Sequence, residues 1–396
     1  MSSNLRKAYF VSVMIITVCL ALQPGSFTRK AEAQVKGVNA KDKTINIALL
    51  GPLSGTYAEF GKSQEKGAEV FNMIENGMSK GPLKGYSFKY SAFDGKGDPK
   101  EAANIAQKVV MGDYFAVVGS SLSLEALAAA PILDRDKVVL YTTFAASSKL
   151  TSSGWTNVFM SFPIAQKEGS AGADILVKKY GWKKVVEFYE NTPYGQGLHE
   201  GFVARVKELG GEVLQSFTHD PKADVVFSSP LTTAKGLNPQ AIFLAEIYES
   251  AGIIIAQALK MGLNVPFVAV SGALNDTCVK MAGGEKAVEN VMWLSLFSPF
   301  AARPKVKKFV DSYKQKFGVI PDDPAALTYD ALLGIKAAIE LGANSRDKVA
   351  TFLHSKDWAP PEGTTNKAIK HDDKGNILGS ELLVIKFKNG KFALVE

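Results

Sequence analysis

The stretch Ile45-Asn46-Ile47-Ala48-Leu49-Leu50-Gly51-Pro52 decides the fold. A short apolar run closed by Gly-Pro reads as a strand. Phe60 to Met78 follows, with apolar residues recurring at helical spacing. A strand leading into a helix, repeated along a chain, is the mark of a parallel sheet with helices on both faces. Working outward, Tyr86 to Phe93, Phe115 to Gly119 and Val138 to Tyr141 supply further strands, and Asp98-Pro99 caps a helix with proline at its first position. A second series comprises Val185 to Tyr189, Val213 to Phe217, Ala241 to Leu244 and Phe267 to Val270, separated by helices at 166–180, 195–209 and 249–261. Asn157 to Pro163 reads as the connection between the two series. Val291 to Phe297 is a returning strand, followed by helices at 304–317, 324–341 and 346–354. His371 to Asn376 and Lys388-Asn389-Gly390 are hairpin turns between apolar strands. The expected architecture is α/β with two similar lobes, and ligands of such sheets bind outside the carboxyl ends of the strands.

The chain has 396 residues, 46% of them hydrophobic and 21% charged, which suits two domains with substantial cores. Its 35 glycines and 17 prolines are close to average usage and exclude collagen-like and disordered classes. Of the net charge of +7, Arg6, Lys7, Arg29 and Lys30 against Glu32 contribute +3 within residues 1–33. No basic run marks a nucleic-acid partner; the densest group, Lys305, Lys307 and Lys308, sits on a helix beside Asp311.

Residues 1–33 read as an export signal. Arg6-Lys7 form a positive start, Ala8 to Leu22 are an uncharged apolar run, and Ala31-Glu32-Ala33 offers small residues for cleavage before Gln34. The apolar run of 15 residues is shorter than the ~20 a spanning helix needs. A lipoprotein signal at Cys19 is disfavoured by the bulk of Val18. Export leaves Cys278 as the one remaining cysteine, a buried apolar residue in character, without an internal disulfide.

Chemistry-bearing patterns are sparse. His199, His219, His354 and His371 are too far apart to share a helix turn and read as lone surface histidines rather than metal ligands. Asp322-Asp323 reads as a helix cap and Asp372-Asp373 as a turn. Ser63 and Lys66 have Ser-x-x-Lys spacing without the companion elements of a penicillin-recognising enzyme. Gly195, Gly197 and Gly201 mimic a dinucleotide loop with the third glycine one place late. More informative are Gly119-Ser120-Ser121-Leu122-Ser123 and Thr142 to Ser148, two hydroxyl-rich loops after consecutive strands. Hydroxyls and N–H groups at a helix start suit a carboxylate without Arg or Lys.

Ile45 through Gly61, followed by Gly67-Ala68, resembles the opening of the periplasmic leucine/isoleucine/valine-binding proteins of ABC transporters. Asp94 through Pro99, Val117 to Ser120, Tyr194 to Gly197 and the Gly262 segment before Phe267 continue the resemblance in the same order. It implies a type I periplasmic binding protein: two lobes, each a mostly parallel sheet with helices on both faces, three crossovers, and hinge closure over a ligand handed unaltered to a permease. The implied lobes are 42–160 with 296–378 and 161–295 with 379–396. The implied protein is monomeric, located in the periplasm, without cofactor, metal or nucleic acid, and not an enzyme. A ligand-sensing receptor module acting through a separate membrane partner is the alternative use of this fold; an exported hydrolase lacks its nucleophile and base.

By the same resemblance, Ser123 is the carboxylate-binding serine, with the backbone of Ser121 beside it. Phe144 supplies the backbone acceptor for an amine. Ala146 occupies the place of a carboxylate-binding threonine, so its N–H serves, helped by Ser147. Phe60 and Tyr194 are aromatic walls. In the amino-acid binders a glutamate pairs with the ligand ammonium, and here that position is Ser271. Burying an ammonium without its counter-charge costs several kcal/mol. Glu246, at the end of the neighbouring strand, is a candidate substitute. If Glu246 does not reach the cleft, the ligand is an aromatic or branched keto acid lacking the amine, held against Phe60, Phe144, Tyr194 and Tyr248; otherwise it is a hydrophobic amino acid.

Overall fold

The computed structural model of the protein describes residues 35–75, 77–221, 225–356 and 358–395. The export signal expected over 1–33 lies outside them. The first sheet holds β1 (Val38–Asn39), β2 (Thr44–Gly51), β3 (Ser87–Asp94), β4 (Ala116–Gly119), β5 (Val139–Thr142) and β6 (Val158–Met160). Strands β3-β2-β4-β5-β6 run parallel in that spatial order, and the two-residue β1 pairs antiparallel to β2. The second sheet holds β7 (Lys184–Glu190), β8 (Glu212–His219), β9 (Ala241–Ala245), β10 (Phe267–Ala269), β11 (Val291–Ser295), β12 (Leu383–Lys388) and β13 (Lys391–Leu394). Its parallel part runs β8-β7-β9-β10-β11, and β12 and β13 close the other edge antiparallel. Both sheets therefore have the same doubly-wound order, reversing beside β2 and β7, and a crevice opens at each reversal beyond the strands' carboxyl ends.

Burial explains which strands read most clearly. Central strands β4, β5 and β9 are buried at every residue, so they are unbroken apolar runs. Edge strands β3 and β8 are mostly half-buried and carry polar residues.

In the first half, the sheet is covered by α1 (Ala58–Glu75), α2 (Pro99–Met111) and α3 (Ser123–Arg135), with a single turn α4 (Lys149–Ser152) beyond β5. The second half adds α5 (Ala165–Ala173, continued by a π-helical turn Asp174–Lys179), α6 (Pro193–Glu208), α7 (Ser228–Leu237), α8 (Tyr248–Lys260) and α9 (Asp276–Ala282). The chain then returns with α10 (Pro304–Phe317), α11 (Asp323–Glu340) and α12 (Arg346–His354). Helices α10 and α11 pack on α1 and α12 packs on β5, so this block belongs with the first sheet before the chain leaves again for β12. These exchanges make three crossings. At the second crossing Asp323 accepts from the N–H groups of Leu296 (3.0 Å) and Phe297 (2.8 Å) and from Ser295 Oγ (2.8 Å), while Asp322 caps α11 through Ala325 N–H.

Several expectations need correction. Asn157 to Pro163 is not merely a connection: Val158–Met160 pairs with β5, because its apolar residues complete the buried edge of the sheet. The turn at His371 to Asn376 closes a single bridge, His371 to Ile377, rather than two strands. Lys388-Asn389-Gly390 does form a tight hairpin, with Asn389 and Gly390 both at positive φ (55° and 73°). His219 and His371 are not surface residues: His371 is buried with Tyr141, and His219 is paired with Glu246. Gly197 and Gly201 serve helix packing, and Gly195 lets the start of α6 approach the Glu190 backbone at the end of β7. A Cβ on Gly201 would stand 2.1 Å from the Gln166 carbonyl oxygen, and one on Gly169 would stand 2.1 Å from that of Leu198, so α5 and α6 touch backbone to backbone. Cys278 is fully buried and free.

Candidate functional site

A cleft of about 410 Å³, part of it open to solvent, lies where the carboxyl edges of the two sheets face each other. Its first wall is formed by Tyr57 and Phe60 after β2, Ser121, Leu122, Ser123 and Leu124 after β4, and Phe144 after β5. Its second wall is formed by Thr192 and Tyr194 after β7, Ile247 after β9 and Gly272 after β10. Every lining residue follows a parallel strand, and none is charged.

The polar part of the first wall centres on Ser123, the first residue of α3. Its Oγ accepts from the N–H groups of Ala146 and Ser147, both at 3.1 Å. With both lone pairs engaged, the hydroxyl hydrogen is left to donate. Ser121 Oγ lies 3.4 Å from Thr143 Oγ1, which also accepts from Gln64 Nε2 at 2.9 Å. No side chain caps α3 at Leu122, and its first residues, Ser123 and Leu124, bring the positive end of the helix dipole to the cleft, while Glu125 in the same turn is buried and accepts from Gly97 N–H and Ser120 Oγ. This wall can hold an anion.

The apolar part is a chain of rings. Phe60 and Phe144 lie 5.6 Å apart between centroids, and Phe144 packs edge-on against Phe162 at 4.9 Å. Phe60 meets Tyr248 of the second half edge-on at 5.1 Å, and Tyr248 Oη donates to the Thr56 carbonyl at 2.6 Å. That bond ties the two halves together beside the cleft.

Behind the second wall stand four buried glutamates, each held by its own donors. Glu168, from α5, accepts from Ser271 N–H (2.7 Å), Ser271 Oγ (2.5 Å) and Tyr194 Oη (2.7 Å). Glu190 accepts from Ile247 N–H at 3.0 Å and from Ser250 Oγ at 3.4 Å. Glu246 pairs with His219 Nε2 at 2.8 Å, and Glu187 with His199 Nδ1 and Ser216 Oγ, both at 2.7 Å. Burial raises the carboxyls of Glu168, Glu190 and Glu246 above the usual range, and for Glu190 the neighbouring charge of Glu246 adds to it.

Of the residues expected at the site, Phe60, Ser121, Ser123, Phe144 and Tyr194 line the cleft. Five do not. Ala146 and Ser147 spend their N–H groups on Ser123 and act as its support. Glu246 is turned away to His219, so it is neither a solvated loop residue nor a cleft acid. Tyr248 bonds the opposite half, and Ser271 bonds Glu168 while its neighbour Gly272 faces the cleft. Tyr57, Leu122, Leu124, Thr192, Ile247 and Gly272 were missed, as was Glu168. Thr192 carried a signal: it caps α6 through Gly195 N–H, immediately before Pro193. Among the described residues no cluster of three or more His, Cys, Asp or Glu could hold a metal ion.

Residues 44–389 match the model of a periplasmic binding protein family. The chain belongs to that family. It is 26% identical over 349 residues to a leucine-, isoleucine-, valine-, threonine- and alanine-binding protein of Pseudomonas aeruginosa, covering 87% of this chain and 90% of that one. A leucine-binding protein of Thermotoga maritima superposes with a TM-score of 0.82 at 28% identity, covering 89% of this chain and 97% of the other. A branched-chain amino acid transporter substrate-binding protein of Streptococcus pneumoniae, in complex with isoleucine, superposes with a TM-score of 0.79 at 27% identity, covering 88% and 97%. Fold and relatives alike are those of substrate-binding proteins of ABC transporters, not of enzymes. Among the described residues no helix of this periplasmic binding protein is long and apolar enough to cross a membrane.

Proposed function

We propose that this periplasmic binding protein is exported by its residues 1–33, closes its two halves over a small apolar carboxylate, and delivers it to an ABC permease. The Ser123 hydroxyl and the first-turn N–H groups of α3 hold the carboxylate, and Phe60, Phe144 and Tyr194 grip the apolar body. The halves, 42–160 with 296–378 and 161–295 with 379–396, hinge at the three crossings. The ligand lacks an amine: it is an aromatic acid or a branched keto acid. One observation carries this last point. No residue lining the cleft is an acid, and Glu168, which meets the hydroxyl of the lining Tyr194, is engaged by three donors of the protein itself. The relatives named above are described as binding leucine, isoleucine, valine, threonine and alanine in one case and isoleucine in another, which supports a small ligand bearing a carboxylate. Calorimetric titration of the mature chain with benzoate, ketoisocaproate and leucine tests the reading. Binding of either acid in the micromolar range or tighter, with leucine at least ~100-fold weaker, is expected, since an unpaired buried ammonium costs several kcal/mol. Micromolar leucine binding overturns it.

A further inference from the structure

We propose that Glu168 is a specificity-determining positioning residue: Ser271 and Tyr194 withhold its carboxylate from the cleft, and this withholding makes the site reject amines. The inference rests on the ligand class proposed above. Glu168 belongs to α5, which contributes no lining residue to the cleft. Its Oε1 accepts both the N–H and the hydroxyl of Ser271, and its Oε2 accepts the Tyr194 hydroxyl. Tyr194 lines the cleft, as does Gly272, the residue after Ser271. The acid therefore stands one hydroxyl group behind the wall, fully buried. Among the four buried glutamates of the second half, Glu168 alone bonds the side chain of a lining residue. Glu187 and Glu246 bond His199, Ser216 and His219, and Glu190 bonds a backbone N–H and Ser250.

A ligand ammonium reaching for Glu168 must expel the Tyr194 hydroxyl and shed its own water, and the protein's donors are already in place at no such cost. Removing those donors reverses the balance. With Tyr194→Phe and Ser271→Ala, Oε2 loses its partner, Oε1 keeps only the Ser271 N–H, and an ammonium can occupy the space of the lost hydroxyl.

The test compares leucine with isocaproate, which is leucine without its amine, by calorimetry on the full mature chain. Three proteins are titrated: the wild type, Y194F/S271A, and the same pair with E168Q added. The wild type is expected to favour isocaproate, Y194F/S271A to move the affinity ratio at least tenfold toward leucine, and E168Q to return it. A purely structural role for Glu168 would weaken both ligands together and leave the ratio alone. An unchanged ratio in Y194F/S271A, or a shift that survives E168Q, overturns the inference while the wild-type preference for isocaproate still stands. A wild type that prefers leucine overturns the ligand class and this inference together. If Y194F/S271A fails to fold by circular dichroism, S271A alone carries the test: a shift of the same sign of about threefold is expected, and none overturns the proposal.

Discussion

The first wall of the cleft ends in Ser121, Ser123 and the uncapped start of α3, whereas the second ends in Thr192, Tyr194, Ile247 and Gly272 with four glutamates sealed behind it. The two halves share one strand order, yet the first places Ser123 and a helix start on the cleft with one buried acid, Glu125, beside them, whereas the second directs its donors to four buried acids. On the reading proposed above, the site favours anions with no Arg or Lys among its lining residues. A helix start supplies about half a positive charge, and the opposite wall keeps its negative charges bound to local hydroxyls, amides and imidazoles. A carboxylate ligand then meets donors on one side and a neutral surface on the other.

Three substitutions break or sharpen this contrast. Ser123→Ala strikes the donor wall: it removes the hydroxyl that faces the cleft and strips Ala146 and Ser147 of their acceptor. Hydrogen bonds to charged groups contribute about 1.5–3 kcal/mol, so carboxylate affinity should fall roughly 10- to 150-fold by calorimetry. A change below twofold would show that the anion is not held on this wall. Tyr248→Phe strikes the tie between the walls by deleting the bond to the Thr56 carbonyl. Loss of about 1 kcal/mol from the closed form should weaken binding about fivefold. Small-angle scattering at a fixed subsaturating ligand concentration should show a larger open fraction, and an unaltered affinity with unaltered scattering removes the tie from the account.

The smallest effect probes the sealed acids by pH. Burial, reinforced by Glu246, raises the Glu190 carboxyl to about 8. An anion in the cleft is favoured by the protonated, neutral form of Glu190, so affinity is greatest below that range and declines as pH rises through it. Glu246, raised by burial, and His219, which burial lowers but which its bond to Glu246 together with the charges of Glu246 and Glu190 raises overall, lose protons in the same sense. A fall of about two- to threefold between pH 6.5 and 9 is expected, and Glu190→Gln should flatten it. Affinity that rises with pH would mean that the second wall does not repel the ligand.

The positions of strands and helices were legible because they rest on local periodicity. Ile45 to Leu50 became Thr44–Gly51, and the helix read at 304–317 is Pro304–Phe317. The hydroxyl loops were legible for the same reason: they follow strands, and that alone puts them at the carboxyl edge. Five of the expected site residues line the cleft, each beside a strand end. Those that do not were misread because their partners are far away along the chain. Glu168 and Ser271 are 103 residues apart, and nothing near either one announces the other. His219 and Glu246 lie 27 apart on β8 and beyond β9, which become near neighbours only through the sheet order β8-β7-β9.

By itself the sequence determined two series of strand-and-helix units and the carboxyl-edge loops that end in serines and aromatics. Those features follow from the spacing of neighbouring residues, which the chain carries before it folds. Only the tertiary structure decided that Glu168 and Glu246 face inward, that Ala146 and Ser147 support Ser123, and that Tyr248 reaches across to Thr56. A buried polar group points toward whichever donors and acceptors packing brings to it, and those partners lie on segments that meet only once both sheets are assembled.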